Sequence, residues 1–260
     1  MSTVSSSGRG WVCYARLIMT MIADNLHDVQ TRIAQACVQA ERARNAVRLL
    51  AVSKTFGADA VAQAHAAGQT AFGENYIQEA VDKITALRHL PLEWHCIGPI
   101  QSNKTRLVAE NFDWVHTIDR LKIAQRLSEQ RPEHLAPLQV CIQVNVDGGA
   151  SKSGVPTSEA LALAQAVAAL PRLQLRGLMC IPEPAPDFVA ACAVFARATA
   201  LFDTMKVAGM PVDTLSMGMS GDLEAAITSG STMVRVGSAI FGDRGPPRST
   251  AVRVAAPHGR

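Results

Sequence analysis

The cysteines of this sequence lack the close pairs that mark metal sites and disulfide frameworks. None belongs to a C-x-x-C pair, and all six are widely spaced: Cys13, Cys37, Cys96, Cys141, Cys180 and Cys192. Zinc sites and small disulfide-stabilised domains usually show closely spaced cysteines. We therefore expect no metal site, and we interpret the cysteines as small buried hydrophobic residues in a reducing compartment, the cytoplasm.

The sequence also lacks a strong charge imbalance and a long apolar run. Lys and Arg number 25 against 22 Asp and Glu, a net charge of only +3, whereas a protein that neutralises several phosphates of a duplex carries a clustered basic excess. No stretch approaches the roughly 18 to 20 consecutive apolar residues of a membrane span. We therefore expect neither nucleic acid nor a membrane as partner, and the hydrophobic share of 48% predicts a folded globular protein.

The 260 residues fit one large domain with a tail at each end. Residues 1–20 are rich in Ser and Gly and lack the cleavage site of a signal peptide, so we predict a disordered tail there. Met19 and Met21 precede the first patterned segment, and either could begin the natural product. Regular patterning starts at Asn25, a good helix N-cap. We assign residues 21–245 to the domain and residues 246–260 to a disordered C-terminal tail.

After this first helix, short β-rich apolar runs alternate with longer Ala-rich segments, eight times in all. Five of the seven helical segments that follow the first helix end at Gly, as at Gly68 and Gly209, or just before Pro, as at Pro132 and Pro171. Both are typical stop signals. The runs predicted as strands are Leu49 to Ser53, Thr70 to Gly73, Glu93 to Gly98, Trp114 to Ile118, Leu138 to Val146, Leu173 to Ile181, Thr214 to Met219 and Met233 to Gly237.

This alternation predicts parallel strands joined by helices, and eight such units can close into a barrel. An open, doubly wound sheet is the alternative. Such a sheet usually binds its ligand through a glycine-rich first turn, but the first run here ends in Ser53-Lys54-Thr55 with no G-x-G-x-x-G. We therefore predict an α/β fold, a single (β/α)8 TIM barrel with an extra N-terminal helix.

In such a barrel the active site lies at the carboxyl ends of the strands, so the residue that ends each run is a candidate. Lys54 follows the first apolar run. A lysine with a desolvated stem is a competent amine nucleophile for an aldehyde. The alternative is a lysine in an ordinary surface loop or ion pair, and position alone does not decide between them.

The loops after the last two runs are rich in small residues. The stretch from Leu215 to Gly221 leads into a helix, and Gly237-Ser238 leads into a short turn. Loops at these two places often bind phosphate in this fold, through backbone N–H groups and here also the hydroxyls of Ser220 and Ser238. The alternative is that Ser220 only caps its helix and the glycines only form turns.

Arg235 shares one face of the last strand with Met233 and Gly237, whereas Val234 and Val236 share the other. An arginine inside a barrel needs a partner. A lysine that can bind an aldehyde, a phosphate site and an arginine in one barrel mouth together describe a site for pyridoxal 5′-phosphate (PLP). That cofactor needs a Schiff-base lysine, phosphate donors and a residue that faces its ring nitrogen.

At these residues the sequence resembles the pyridoxal phosphate homeostasis proteins (YggS-like), relatives of the barrel domain of alanine racemase. The resemblance extends from about residue 25 to residue 242. The matching stretches, in order, are Leu50 to Thr55, Phe72 to Tyr76, Trp94 to Lys104, His116 to Asp119, Ser151 to Gly154, Arg176 to Met179, Leu215 to Ser220 and Val234 to Gly242.

The resemblance implies a set of cofactor-binding residues. Lys54 would form the Schiff base, and Arg235 would face the ring nitrogen. The phosphate contacts would be Ser220, Gly237 and Ser238. The other residues implied near the cofactor are Ser216 and Met219, with Asn75 and His95 towards the ring or its 3′-oxygen side.

Two positions depart from the family pattern. The family often has a second lysine two positions after the first, where this chain has Phe56, and its usual tail after the final Phe-Gly is replaced by Asp243 to Pro247. A role of these positions in moving or releasing the cofactor is therefore not implied. Lys152 is a candidate for a transient cofactor contact; the alternative is a solvated lysine.

Two features favour a carrier over an enzyme. Arginine only donates, so a ring nitrogen that faces Arg235 is unprotonated and the ring is a weaker electron sink. Related racemases supply a second acid/base, a tyrosine, from a further β domain. Here the tyrosines are Tyr14 and Tyr76, and 18 residues follow Gly242. We predict a cytosolic, monomeric, non-enzymatic protein that buffers PLP or delivers it to apo-enzymes.

Two alternatives stay open. One is a PLP-dependent, racemase-like enzyme acting on amino acids. The other is a Schiff-base aldolase for phosphorylated sugars, which would use the same lysine and phosphate site but would need no arginine at a ring nitrogen.

Overall fold

Eight parallel strands form a closed barrel in the structure, a computed structural model that describes residues 7–149 and 153–242. The barrel strands are β1 (Arg48–Val52), β2 (Ala71–Glu74), β3 (Glu93–Cys96), β4 (Trp114–Ile118), β5 (Leu138–Asn145), β7 (Leu173–Met179), β8 (Thr214–Ser216) and β9 (Met233–Val236). They pair in chain order, and β9 pairs with β1 to close the barrel. A short strand, β6 (Val155–Pro156), pairs with the end of β5. The predicted (β/α)8 barrel is confirmed.

Helices alternate with the strands and cover the outside of the barrel. The extra helix, α1 (Ser7–Gln39), precedes β1. One turn of 3-10 helix lies at Ser102–Lys104. The other helices are α2 (Ala58–Ala66), α3 (Ile77–Ala86), α4 (Thr105–Asn111), α5 (Leu121–Gln130), α6 (Thr157–Ala168), α7 (Phe188–Val207), α8 (Leu223–Thr228) and α9 (Ser238–Phe241).

Glycines end several elements where the chain turns sharply. Gly209 follows α7 with a φ of +77°, a left-handed conformation that glycine adopts without the steric cost of a Cβ. Gly218, with a φ of +96°, turns the chain after β8. The strand therefore ends at Ser216, three residues before the end of the predicted run Thr214 to Met219. This early turn leaves the following residues free to form a loop at the barrel mouth.

The N-terminal helix begins earlier than the sequence predicts. It starts at Ser7, so residues 7–20 are helical where a disordered tail is predicted, and Asn25 lies inside the helix instead of capping it. The Asn25 side-chain amide donates a 3.0 Å hydrogen bond to the carbonyl O of Ile240 in α9. The predicted C-terminal tail, 246–260, lies outside the described residues, and the domain limits stay predictions.

The main apolar core lies between the strands and the surrounding helices. Val234 and Val236 of β9 belong to it, while Met233 packs in a small cluster inside the barrel. Burying an aliphatic side chain of this size contributes about 1.5 to 3 kcal/mol. Beside the interior cluster lie buried polar side chains, among them Arg235 of the same strand. The alternation along β9 thus places the arginine inside the barrel.

Among the described helices, α7 alone is long and apolar enough to cross a membrane, judged by length and composition. In this fold it packs on β7, β8 and α8. One of its faces is buried, with the spacing of an amphipathic barrel helix: Ala191, Phe195, Ala198, Phe202 and Met205. The helix therefore forms part of the layer that covers the barrel.

Candidate functional site

A cavity of about 470 Å³ opens at the carboxyl ends of the barrel strands. Its volume lies within the roughly 300 to 1,000 Å³ typical of small-molecule sites. Most of the residues predicted to bind a cofactor line it: Lys54, Asn75, Met219, Ser220, Arg235, Gly237 and Ser238. The other described lining residues are apolar, small or a lone threonine: Val52, Thr55, Phe56, Ile97, Ile181, Gly221 and Gly242.

The turn after β1 holds Lys54 at this cavity. Thr55 has a φ of +70°, a strained conformation for a β-branched residue. Its backbone N–H donates a 2.8 Å hydrogen bond to Oε1 of Glu79 in α3, and the N–H of Phe56 donates to the carbonyl O of Ser53 at 3.1 Å. These two bonds stabilise the turn that presents the half-buried Lys54.

Phe56 lies where the family often has a second lysine. Its ring stacks on that of Phe241 in α9, with centroids 5.1 Å apart and planes at 30°. The contact joins the turn after β1 to the last described helix across the rim of the cavity. The other departure, Asp243 to Pro247, and the candidate contact residue Lys152 lie outside the described residues.

A buried ion cluster supports the same turn from below. The Lys83 ammonium, 5% exposed, donates to Ser53 O at 2.8 Å and to Glu74 Oε1 at 2.7 Å, and it pairs with Glu79 Oε1 at 2.7 Å. Ser53 Oγ also donates to Glu74 Oε1, at 2.6 Å. Burial raises the pKa of Glu74, and the attraction of Lys83 offsets this only in part. One cation and two carboxylates therefore tie β1, β2 and α3 together beneath Lys54.

The loop between β8 and α8 forms one wall of the cavity. The N–H of Met219 donates to Asp222 Oδ1 at 2.6 Å. The carbonyl O of Ser220 accepts a 2.8 Å hydrogen bond from Nη1 of Arg32, which comes from α1. The same guanidinium makes a bidentate pair with Glu224 of α8. The loop is therefore held by its own helix and by the N-terminal helix.

The neighbouring wall begins where β9 leads into α9, at Gly237 and Ser238. A Cβ on Gly237 would lie 3.0 Å from the carbonyl O of Val52, so the glycine lets β9 approach β1 closely at the rim. The contact between Asn25 and Ile240 holds the end of α9. Helix α1 thus contacts one of the two loops that the sequence predicts as a phosphate site, and the helix that follows the other.

Arg235 lies at the bottom of the cavity and is 4% exposed. Its Nη1 donates to the carbonyl O of Ser216 at 2.7 Å and to Ser216 Oγ at 2.8 Å, and its Nη2 donates to the carbonyl O of Cys180 at 2.9 Å. These bonds use three of the five N–H donors of the guanidinium. Within the described part of the chain, no carboxylate accepts a hydrogen bond from it.

The two remaining predicted residues, Ser216 and His95, lie beneath the cavity and outside its lining. His95 is fully buried. Its Nε2 lies 2.5 Å from Glu93 Oε1, and its Nδ1 lies 2.9 Å from Nε2 of His116. Burial lowers the pKa of both histidines below the ordinary value. The structure thus separates His95 from Arg235 by three hydrogen bonds, through His116 and Ser216.

Sequence reasoning missed four residues that support the site. Lys83 could have been found, because it shares the apolar face of α3 with residues such as Ala80 and Ile84. Arg32 and Glu79 bond to loops that lie far from them in sequence, at Ser220 and Thr55. No local sequence pattern indicates such contacts. The fourth, His116, appears in the matched stretches but was assigned no role.

Comparison with known proteins agrees with this geometry. A protein-family model described as "Alanine racemase, N-terminal domain" matches residues 26–245. A pyridoxal phosphate homeostasis protein of Pseudomonas aeruginosa is 58% identical over 233 residues, which cover 89% of this chain and 100% of that protein. The Escherichia coli protein of the same name is 54% identical over 87% of this chain and 98% of its own length. The chain belongs to the pyridoxal phosphate homeostasis protein family.

Solved structures place this family member among barrels of the same kind. PipY of Synechococcus elongatus, solved without PLP and with PLP bound, is 35% identical and matches with a TM-score of 0.75 over 85% of this chain and 100% of that chain. Alanine racemase from Corynebacterium glutamicum matches with a TM-score of 0.62 at 23% identity, over 88% of this chain and 63% of the racemase chain. The racemase likeness shows a shared fold.

Proposed function

We propose that this protein binds PLP in the cavity at the barrel mouth as a Schiff base on Lys54, and that it buffers or delivers the cofactor without turning over a substrate. The observation that carries the proposal is the convergence of Lys54, Ser220, Arg235 and Ser238 around one cavity. Membership of the homeostasis family supports it, as does a family relative that was solved with PLP bound.

Each group in the cavity has a part in holding the cofactor. The Lys54 amine would add to the aldehyde carbon, and water would leave as the C=N bond forms. The serine hydroxyls and backbone N–H groups of the two loops would donate to the phosphate. Arg235, with unused N–H donors, would donate to an unprotonated ring nitrogen.

The residues present suit this ligand. The side-chain Oδ1 of Asn75 is buried without a hydrogen-bond partner while Asn75 lines the cavity. A buried acceptor of this kind is costly unless a donor meets it, so a polar ligand on that side would supply what the protein does not. The two loops bring small residues to the cavity, including Gly221 and Gly237, where an anion can approach the backbone closely.

The makeup of the lining supports a carrier. Among the described lining residues, only Lys54 and Arg235 have a titratable side chain. Arginine stays protonated, so no second acid/base faces Lys54 from this lining. Tyr76 has a side chain that is 56% exposed and lies outside the lining. A racemase-like activity has no observation in its favour beyond the distant likeness of fold.

The proposed setting is the cytoplasm, and the proposed recipients are PLP-dependent apo-enzymes that meet a monomeric carrier in passing. The five cysteines from Cys37 to Cys192 are free, and Cys37, Cys96, Cys141 and Cys180 are buried, which suits a reducing compartment. Light scattering of the purified protein at several concentrations tests the monomer. Activation of an added apo-enzyme by the loaded protein tests delivery.

The decisive experiment for binding uses Lys54→Ala, with Lys206→Ala as the control. Lys206 is an exposed lysine at the end of α7 on the far side of the barrel. We expect the wild type and the control to show the visible Schiff-base absorption after incubation with PLP, and borohydride to attach the cofactor covalently to the peptide that contains Lys54. Lys54→Ala should show neither. An unchanged band in Lys54→Ala would overturn the assignment of the Schiff base to Lys54. Entry of solvent deuterium at the α position of an added amino acid would overturn the proposal that the protein is a carrier without enzymatic activity.

A further inference from the structure

A continuous line of hydrogen bonds runs through the barrel interior from Arg235 to the carboxylate of Glu93. Arg235 Nη1 lies 2.8 Å from Ser216 Oγ, which lies 3.0 Å from Nδ1 of His116. His116 Nε2 lies 2.9 Å from Nδ1 of His95, and His95 Nε2 lies 2.5 Å from Glu93 Oε1. We call these five residues the interior chain. It crosses the barrel between β8 and β4, which are not neighbours in the sheet.

The middle of the interior chain is closed to water. Ser216, His95 and His116 are each 0% exposed. The Glu93 end is different, because its side chain is 32% exposed and pairs with Arg48 at 2.9 Å. A buried polar group without water must satisfy its donors and acceptors from protein partners. Each hydrogen bond of the interior chain therefore needs one donor and one acceptor, and the donors must all point the same way along it.

Only one direction satisfies every member with neutral histidines. Arginine can only donate and a carboxylate can only accept, which sets the two ends. A neutral imidazole has one donor and one acceptor, so His95 donates from Nε2 to Glu93 and accepts at Nδ1. His116 must then donate from Nε2 and accept at Nδ1 from the Ser216 hydroxyl, whose oxygen accepts from Arg235. The reverse order would place a positive charge on fully buried His95.

The burial of the two rings agrees with this direction. Burial lowers the pKa of His116 well below its ordinary value, and the charge of Arg235 acts in the same sense. For His95, burial lowers the pKa although the bond to Glu93 opposes the change. Burial alone would raise the pKa of Glu93, but His95 and Arg48 lower it to about 2. These directions agree with two neutral rings that end on a charged carboxylate.

We propose that the interior chain positions Arg235 and supplies its counter-charge from Glu93 across the barrel, which makes His116 a positioning residue for recognition of the cofactor's ring nitrogen. This inference rests on the proposed function. In the chosen direction, each group of the interior chain turns its hydrogen-bond acceptor towards the guanidinium of Arg235. The carboxylate of Glu93, which supplies the negative charge, lies four hydrogen bonds away. Among the described residues no carboxylate is hydrogen-bonded to this guanidinium, so its free N–H donors can face the ring nitrogen, while the negative charge of Asp222 also acts on it.

The first arm of the test needs no cofactor. Side-chain ¹⁵N NMR of the full-length protein without PLP reports the proton position on each histidine. We expect His95 and His116 to carry their proton on Nε2 and to stay neutral across about pH 6 to 8. A proton on Nδ1 of His116, or a charged His95 near neutral pH, would overturn the proposed direction even if PLP binding on Lys54 is established.

The second arm compares PLP with its 1-deaza analogue, in which a carbon replaces the ring nitrogen. A hydrogen bond from a buried cation should favour PLP by about 10- to 100-fold in the wild type. In His116→Asn, which cannot reach His95, we expect this preference to fall to about threefold or less. His65→Asn is the matched control and should keep the wild-type preference, because His65 lies on α2, outside the interior chain, and bonds to the carbonyl O of Gln69.

A loss of packing alone would weaken both ligands alike and leave their ratio unchanged, which would overturn the proposal. If His116→Asn fails to fold, the same comparison of ligands is made with Glu93→Gln. This variant keeps an acceptor for His95 and removes only the negative charge. We expect its preference to fall by about two- to fivefold, and an unchanged preference overturns the role of the counter-charge. If the wild type binds neither ligand, the proposed function fails, while the NMR arm still decides the interior chain.

Discussion

The guanidinium of Arg32 donates a hydrogen bond of 2.8 Å to the carbonyl O of Ser220, 188 residues further along the chain. Arg32 lies on the N-terminal helix, and Ser220 lies in the loop that forms one wall of the cavity. The bidentate pair between Arg32 and Glu224 fixes the direction of the guanidinium. The extra helix is therefore part of the support of the site, although it contributes no residue to the lining.

We expect Arg32→Met to weaken binding of PLP by about three- to tenfold, because the loop proposed to hold the phosphate loses one fixed contact. Binding of pyridoxal, which has no phosphate, should change by less than about twofold. Titration of the Schiff-base absorption measures both. Arg44→Met, on an exposed arginine just after α1, is the control. Equal weakening of both ligands would contradict a role in the phosphate loop.

We expect Glu79→Ala to lower the free energy of unfolding by about 1 to 3 kcal/mol, because it frees the N–H of Thr55 and one bond of buried Lys83. Formation of the Schiff base on Lys54 should also slow. Adding Thr55→Gly should recover part of the rate, since glycine adopts a positive φ without strain. Stopped-flow absorbance gives the rates and urea unfolding the stability. A double variant as slow as Glu79→Ala would rule out this role of the turn.

At acidic pH, the free energy of unfolding should depend on the ionisation of Glu93. Its pKa is lowered to about 2 in the folded protein by His95 and Arg48, against about 4.5 when unfolded. The carboxylate therefore stabilises the fold above about pH 4.5, and this contribution is lost as the pH falls towards about 2. Urea unfolding of the wild type and Glu93→Gln should show a difference in stability that shrinks over this range. A constant difference would contradict the assignment.

Gly98 should tolerate no side chain. A Cβ there would lie 2.1 Å from the carbonyl O of Asn75, backbone that cannot move aside cheaply. We expect Gly98→Ala to lower the free energy of unfolding by more than about 2 kcal/mol and to weaken PLP binding through Asn75. Gly57→Ala is the control, because nothing lies within 4 Å of its added Cβ. It should cost about 1 kcal/mol or less, and equal losses in the two variants would contradict the close approach.

The barrel could be predicted because its signals are local. Most strands are apolar runs, most helices end near Gly or Pro, and the alternation along β9 placed Arg235 inside. The cavity residues followed from the rule that strand ends converge. The support of the site could not be predicted in the same way, since the bonds of Arg32 and Asn25 join residues 188 and 215 positions apart. His95 shows the limit, because a residue at a strand end can point below the cavity instead of into it.

The contacts of α1 with distant parts of the chain affect the stage of folding at which the site can form. This helix precedes all the barrel strands in the chain, but the segments it braces, α8 and α9, are among the last of the described elements. Contacts of such high sequence separation form late, after most of the chain has been ordered. A nascent chain therefore holds Lys54 long before it holds the finished loops that we propose to bind the phosphate. Affinity for the phosphorylated cofactor should appear abruptly as the barrel closes, so an unfinished or truncated chain would leave the free cofactor pool untouched.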